Sequence, residues 1–477
     1  MQNQSSHQEM NASGKNPPAG NSRRWLYTIL AASLVLRLGL WVGGVTQDVN
    51  RFYWADTKGY QDSALALLEL GKYVISLDQP LTQTFRLPGY PLFLAAVYRI
   101  FGVWPPGVVL IQIFISLGSI WLVYRLGRRL WNEKAGLWAA GILALDPVSL
   151  TYSLKVLTET LFTFLVLVAV SLVLWIFNDS RRARWAFLPG VALAAATFVK
   201  PNTLYLVWPL GLGFLAWAAS RRWGWKPVAT LLLLFALPQV LAVGAWRQRN
   251  ERLTGSSVFS SVEGFNLYFR HVAGMMAIRE GISWEEAQIR LGSIGRETRD
   301  GDRVAGYVQL HPEVAGLSFE QISEVWSREA REYIRQHPLL FVRVHVDGII
   351  KTLLKPGTAQ LYGLLGGRED LPFLSPREWA RRPVMALTVL YTVVYVLALY
   401  GLVLRGVWIS RKTGSPSWPH LFIAGLLIYF AAVAGGPPVW PLPSRHRVVI
   451  MPLLALLAAR GLVRVSPGDR NSTPVEA

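Results

Sequence analysis

Apolar runs close to 20 residues long, parted by short loops rich in Lys and Arg, decide what this chain can fold into. The runs fall at about residues 24–46, 107–126, 134–150, 156–178, 184–200, 202–219, 226–246, 383–404, 418–436 and 446–464. Each approaches the ~20 residues with which an α-helix crosses a bilayer. Inside lipid a backbone must satisfy its own hydrogen bonds, so runs of this kind fold as helices. The charge content agrees: 16% of the 477 residues are charged and 52% are hydrophobic, where a soluble domain carries about 25% charged residues. The expected fold is an all-α polytopic membrane protein with about ten transmembrane helices. A polar tail, 1–22, precedes the membrane domain of 23–465, and a second tail, 466–477, follows it. Both tails are expected to be cytoplasmic, and the first to be disordered.

The net charge of +19, from 48 basic and 29 acidic residues, would suggest nucleic acid in a soluble domain. Here the basic residues gather between apolar runs, where they set orientation, so a nucleic-acid partner is not expected. There is no cysteine, which removes disulfides and thiolate-bound metal. The run after Arg23-Arg24 is too long for a signal-peptide core and reads as an uncleaved first helix.

Four loops carry most of the positive charge: RLGRRLWNEK (125–134), RRAR (181–184), RRWGWK (221–226) and RGVWISRK (405–412). All four share the cytoplasmic side with Arg23-Arg24 only if the apolar stretch 88–102, within TFRLPGYPLFLAAVYRIFG, does not cross. Loop parity therefore predicts a re-entrant or surface-lying helix there, on the outer side. Two long segments then face outward, 47–106 and 247–382. Within the second, LLFVRVHVDGIIKTLL (339–354) reads as an interfacial juxtamembrane helix. The segment as a whole reads as a cap on the membrane bundle, without a core of its own.

Three features could carry chemistry. Asp56 follows an aromatic cluster in FYWADTKGY, with Tyr60 one helical turn on; a carboxylate partly desolvated at a membrane exit can serve as a general base. Asp56 also suits the N-cap of the following helix. Glu159 begins an apolar run after ALDPVSLTYSLKVLTETLF. An ionisable group there signals function by default, and a first-turn Glu also complements the helix dipole. Third, Arg86, Lys200, Arg247, Arg249, Arg445 and Arg447 fall at outer helix ends, where positive charge is disfavoured. As a group they suit a lipid phosphate. The DGD of Asp300 to Asp302 lies in a polar loop with no strand before it, and the His residues lack metal spacing. No P-loop, dinucleotide-binding glycine fingerprint or nucleophile elbow is present.

Asp56, RLPGYPLFLAAVYRIFG, DPVSLTYSLKVLTETLF, FVKPN, WRQRNERLTG, EGFNLYF, REYIRQHPLLF and SRHRVVIMPLLALLAARGL, in that order, resemble the glycosyltransferase-C superfamily. The likeness is to bacterial members akin to protein O-mannosyltransferases and the lipid A aminoarabinose transferases. It runs from about Arg24 to Val465. It implies an integral protein of the bacterial inner membrane that transfers a sugar from a polyprenyl-phosphate donor to a lipid, glycan or protein acceptor. The transfer takes place on the outer face and inverts the anomeric carbon. Asp56 matches the family's acceptor-activating base and Glu159 its second acidic position. Where the family often has an acidic pair, the residue after Asp56 is Thr57. Arg86 matches the basic residue before the Pro-rich step, near the donor phosphate; Arg249, Arg445, Arg447 and Lys200 join it as phosphate candidates. Tyr60, Tyr90 and His446 are assigned to the substrate pocket. Several relatives work without a catalytic metal and no metal site is evident here, so no cofactor is expected, with a divalent cation left open. A transporter or flippase of lipid-linked sugars is the competing reading. It predicts inverted repeats, and the two halves of this sequence show none.

Overall fold

The computed structural model describes residues 19–177, 179–293, 300–367, 383–412, 418–436 and 443–463. Apart from one isolated antiparallel bridge, Val74 with Thr82, the regular elements among these residues are helices. In order they are α1 (Ala19–Gln47), α2 (Thr57–Leu70), α3 (Gly89–Phe101), α4 (Pro105–Leu130), α5 (Glu133–Ala144), α6 (Pro147–Ser153), α7 (Glu159–Phe177), α8 (Phe187–Val199), α9 (Val207–Ser220) and α10 (Trp225–Thr254). The second outer segment holds α11 (Val262–Phe265), a π-helical turn (Asn266–Val272) running into α12 (Ala273–Glu280), then α13 (Trp284–Arg290), α14 (Asp300–Leu310), α15 (Phe319–Gln336), α16 (Pro338–Leu354) and α17 (Thr358–Leu364). The chain closes with α18 (Pro383–Lys412), α19 (Trp418–Ala434), α20 (Pro443–His446) and α21 (Met451–Leu462). The tails beyond 19 and 463, and the side chains of Asp300 and Asp302, lie outside the described residues.

Among the described residues six helices are long and apolar enough to cross a membrane: Ser22–Gln47, Pro105–Leu130, Glu159–Phe177, Pro201–Ser220, Trp225–Thr254 and Pro383–Ser410. The other four expected spans fall on shorter helices. The run 134–150 is not one span, as expected, but two helices, α5 and α6. The break is written in Asp146-Pro147: a residue before proline avoids the helical region, and proline cannot donate back to α5. Asp146 instead caps α6, accepting from Ser149 N at 2.6 Å. The carbonyls released from α5 find side chains. Tyr395 Oη donates to Ile142 O at 2.7 Å, Arg37 Nη1 to Ala144 O at 3.3 Å, and Tyr391 Oη to Leu145 O. Arg37 lies inside the first apolar run and is 1% exposed. It is there to satisfy a broken helix, as a low-dielectric environment requires.

Helix direction sorts the loops. The helix α7 starts at Glu159 and ends before Arg181–Arg184; α8 returns and ends beside Lys200. The helix α9 ends beside Arg221, and α10 returns from Trp225. Arg128 and Arg129 occupy the last turn of α4, and α18 closes at Lys412. The basic loops thus gather at one end of the bundle, opposite the end that carries Glu159 and Lys200.

At that opposite end lies α3, which spans only 13 residues, about 20 Å at the α-helical rise and short of the ~30 Å hydrocarbon core. Pro88 and Pro91 occupy its cap and first turn, where no donor is needed. Its packing hinges on Gly89: a Cβ there would lie 2.7 Å from the backbone of Phe198 and Val199. Only glycine lets α3 sit directly on the end of α8, one residue from Lys200. The second outer segment departs from expectation, for it builds a hydrophobic cluster of its own around Phe269, Tyr307, Ile322 and Trp326. The aromatic residues that fill it are spread over several short helices, so no single window of sequence shows them as a core.

Substituting Gly89→Ala is expected to destabilise the protein by about 1–3 kcal/mol through overpacking against backbone that cannot yield. A lowered Tm in detergent or nanodiscs would register it, and an unchanged Tm would show that α3 moves freely over α8.

Candidate active site

The loop that carries Asp56 is bolted down by its neighbour. Thr57 is 1% exposed; its Oγ1 accepts from Trp54 N at 2.9 Å and donates to Val156 O at 3.0 Å. Val156 N in turn donates to Phe52 O at 2.8 Å. Thr57 therefore ties the first outer segment to the turn before Glu159, work that a carboxylate could not do. Asp56 itself stands at the N-cap of α2 but makes no capping bond. Its Oδ1 accepts from Arg86 Nη2 at 3.2 Å and its Oδ2 from Arg445 Nη1.

Arg86 is aimed by its backbone. The N–H groups of Phe85 and Arg86 both donate to Gln83 Oε1 at 3.0 Å, and Tyr73 Oη donates to the Arg86 carbonyl at 2.9 Å. The guanidinium lies 4.5 Å above the Tyr60 ring and passes so close to Gly59 that a Cβ there would meet Nε at 2.5 Å. Glu159 is the first residue of α7. Its Oε1 accepts from Arg445 Nε at 2.5 Å and from Lys200 Nζ at 2.9 Å, while the buried Oε2 has no partner. Arg445 thus bridges the two carboxylates. Asp56, Arg86, Glu159, Lys200 and Arg445, distant in sequence, form one network.

Asp56 keeps 35% of its side chain accessible, against 12% for Arg86, 16% for Lys200, 7% for Arg445 and 2% for Glu159. It is the member of the network that can meet a substrate. Burial opposes the Asp56 charge, but Arg445 and then Arg86 outweigh it and hold the carboxyl far below the usual carboxylate range. Burial raises the Tyr60 hydroxyl against the pull of Arg86, so Tyr60 stays protonated. Burial and the nearby Lys200 and Arg445 charges push His446 down to about 3, leaving its ring neutral.

The remaining residues singled out in the sequence divide. Tyr90 is fully buried behind Tyr60, edge-on at 5.1 Å, and donates to Gln112 Oε1 at 2.7 Å; it supports the site and does not line it. Arg249 donates to the carbonyls of Gln83 (3.2 Å) and Tyr73 (3.1 Å) and stacks 4.5 Å from the Trp246 ring. It staples the segment that leads to Arg86. Arg447 is buried and donates to Leu353 O at 2.8 Å, at the end of α16. Neither arginine makes contact with the carboxylates.

Beside the network lies a cavity of about 380 Å³, within the usual size range of ligand pockets. Asn202 and His446 line it and also border the small recess formed by Glu159, Lys200 and Arg445, so the two spaces adjoin. Its far wall is the turn Val262 to His271, with Glu263, Asn266, Arg270 and His271 among the lining residues. Sequence reasoning passed over these four. The three- and four-residue spacing of Glu263, Asn266 and Arg270 in EGFNLYFRHV, with His271 next in sequence, was the available signal, and a π-helical turn at Asn266–Val272 marks the place. Among the described residues no three His, Asp or Glu side chains group as a metal site.

The resemblance to the glycosyltransferase-C superfamily drawn from the sequence is supported by a family match over part of the chain and by the fold of solved structures. Residues 78–246 match the family of dolichyl-phosphate-mannose-protein mannosyltransferases. Among solved structures the chain is similar to the apo oligosaccharyltransferase of Archaeoglobus fulgidus, with TM-score 0.52 and 13% identity over 93% of this chain and 51% of that one. The same archaeal enzyme, AglB, in complex with an inhibitory peptide and a dolichol-phosphate, gives 0.51 and 13% over 91% and 50%. This chain spans about half the length of those structures, and the likeness is one of fold. ArnT from Cupriavidus metallidurans bound to undecaprenyl phosphate gives 0.38 and 14% over 93% and 78%. No curated protein matches the sequence.

Because the folded-state carboxyl of Asp56 is depressed, its stabilising contribution is present above the unfolded value near 4 and is lost only as pH falls toward the folded one. The Tm advantage of the wild type over Asp56→Asn is therefore expected to stay level from neutral pH down to about 4 and to shrink below it. Parallel acid profiles for the two proteins would contradict the ion pairs drawn here.

Proposed function

We propose that the protein is a membrane glycosyltransferase that moves a sugar from a polyprenyl-phosphate donor to a hydroxyl acceptor at the outer face of a bacterial inner membrane, with inversion. The observation that carries this reading is the convergence of Asp56, Arg86, Glu159, Lys200 and Arg445 in one ion-pair network, of which Glu159, Lys200 and Arg445 line a recess adjoining the larger cavity. The match to a dolichyl-phosphate-mannose family and the dolichol-phosphate complex of a protein with this fold support the donor class. The basic loops, which favour the cytoplasm and lie at the other end of the bundle, support the outer face.

In this mechanism the acceptor hydroxyl, hydrogen-bonded to Asp56, attacks the anomeric carbon from the side opposite the phosphate. The new C–O bond forms as the old one breaks, its electron pair leaves with the polyprenyl phosphate, and the hydroxyl proton passes to Asp56. Negative charge grows on the leaving phosphate, and fixed cations in a partly desolvated site stabilise it more than water does. Arg86, Lys200, Arg445 and the cavity-lining Arg270 are the cations so placed. The unpartnered Glu159 Oε2 offers an acceptor to a sugar or acceptor hydroxyl in the recess.

Transfer from a polyprenyl-phosphate sugar by purified Asp56→Asn is expected to fall at least ~100-fold, the usual scale for loss of a general base. Turnover near that of the wild type would remove Asp56 from the base role. Arg86→Gln is expected to weaken turnover with the same donor by a factor of ~10–1000, as loss of one transition-state donor does.

A further inference from the structure

Three of the four cations that a donor phosphate would use are already occupied by carboxylates. Arg86 is held by Asp56 Oδ1, Arg445 by Asp56 Oδ2 and Glu159 Oε1, and Lys200 by Glu159. The acceptor-activating oxygen and the phosphate-stabilising guanidinium are thus bonded to each other. The two grips on Arg445 differ. Its Nε rests on Glu159, which is 2% exposed, and its Nη1 on Asp56, which is 35% exposed. The inner contact is an anchor, because it lies deeper and breaking it would leave the buried Glu159 carboxylate with Lys200 alone. The outer contact faces the substrate, and a guanidinium pivoting about its anchored Nε can exchange one carboxylate for a phosphate without stranding either charge.

We infer that the Asp56–Arg445 pair is a resting lock in which the carboxylate stands in for the donor phosphate. Donor binding transfers Arg445 Nη1 from Asp56 to the phosphate and so releases Asp56 Oδ2 for the acceptor hydroxyl. This inference rests on the transferase reading above and adds an order to it, donor before acceptor. A carboxylate gripped by Arg445 and Arg86 is a poor proton acceptor, for its charged form is already stabilised. Once Arg445 moves to the phosphate, burial acts on Asp56 with less opposition, and its basicity rises when the anomeric carbon is in place to be attacked. Arg445 on this account is a positioning residue: it governs the reaction through Asp56 and through the phosphate it receives.

The test is a gain of affinity, which misfolding cannot imitate. Binding of undecaprenyl phosphate, as the bare lipid phosphate, is measured on the full chain in nanodiscs for the wild type, Asp56→Asn, Arg445→Gln, the double variant and Asp62→Asn. Because Asp56 competes with the phosphate, Asp56→Asn is expected to bind about tenfold tighter than wild type, a decade in Kd. The gain is expected to vanish when Arg445→Gln is also present, since coupled partners are not additive. Asp62 pairs with Lys58 on α2, outside the network, and its Asn variant is expected to bind as the wild type does. Equal or weaker binding by Asp56→Asn overturns the lock. So does a gain that survives Arg445→Gln or appears equally in Asp62→Asn, because the overall field would then be the cause. A wild type that does not bind the lipid phosphate, yet is folded by its Tm, overturns the transferase reading and the lock with it.

Discussion

One guanidinium holds together parts of the chain that sequence keeps far apart. Arg445 reaches Asp56 through one nitrogen and Glu159 through another, joining the first outer segment, the start of α7 and the last outer connection. Lys200, at the end of α8, closes the set on Glu159. Removing Glu159 would take the carboxylate from both Lys200 and Arg445 in a poorly hydrated place, so the network specifies how four helix ends meet. The same constraint explains the small residues around it. Gly89 lets α3 touch the backbone of α8 beside Lys200, and Gly59 lets the Arg86 side chain pass over α2 toward Asp56. Their missing side chains are the space through which the charges converge.

The network also has a sign. Three cations (Arg86, Lys200, Arg445) face two carboxylates (Asp56, Glu159), leaving one positive charge in excess, and Arg270 lines the adjoining cavity. Cations gathered at low dielectric repel one another unless an anion joins them, so the site is built for a negatively charged guest. The two carboxylates hold the three cations together through shared contacts, Asp56 between Arg86 and Arg445 and Glu159 between Arg445 and Lys200.

How much of this was legible in the sequence depends on the reach of each signal. Helix length and loop charge are local, and they placed the membrane helices and singled out α3 as too short to cross. Asp56, Arg86 and Glu159 were legible because charges at apolar helix ends are costly and stand out against their surroundings. Arg249 and Arg447 raised the same alarm for another reason, since each satisfies backbone carbonyls, and a sequence does not say whether a buried arginine serves a carbonyl or a carboxylate. Arg37 was hidden by the length of its run; its purpose appears only when the Asp146-Pro147 break exposes carbonyls on another helix. The cavity wall at Glu263, Asn266, Arg270 and His271 left only its spacing as a signal, because it matters only once the outer segment folds back over the bundle, and that folding depends on aromatic packing around Trp326 spread across many turns.

The outer segment's own core bears on how the site can work. Thr84 is tied to it by bonds to Ser261 Oγ (3.2 Å) and Glu320, and Ser260 Oγ donates to the Phe85 carbonyl at 2.9 Å. Arg86 is therefore positioned from two sides, by Gln83 and Tyr73 in its own segment and by the cap around Trp326 across from it. The cap also supplies the wall of the cavity. A displacement of the cap against the bundle would move Arg86 and the cavity wall together while Glu159 and Lys200, fixed at the ends of helices α7 and α8, stay in place. The division of labour follows from where each group is rooted: Glu159 and Lys200 belong to helices of the bundle and anchor Arg445, while Asp56 and Arg86 belong to the segment that the cap braces.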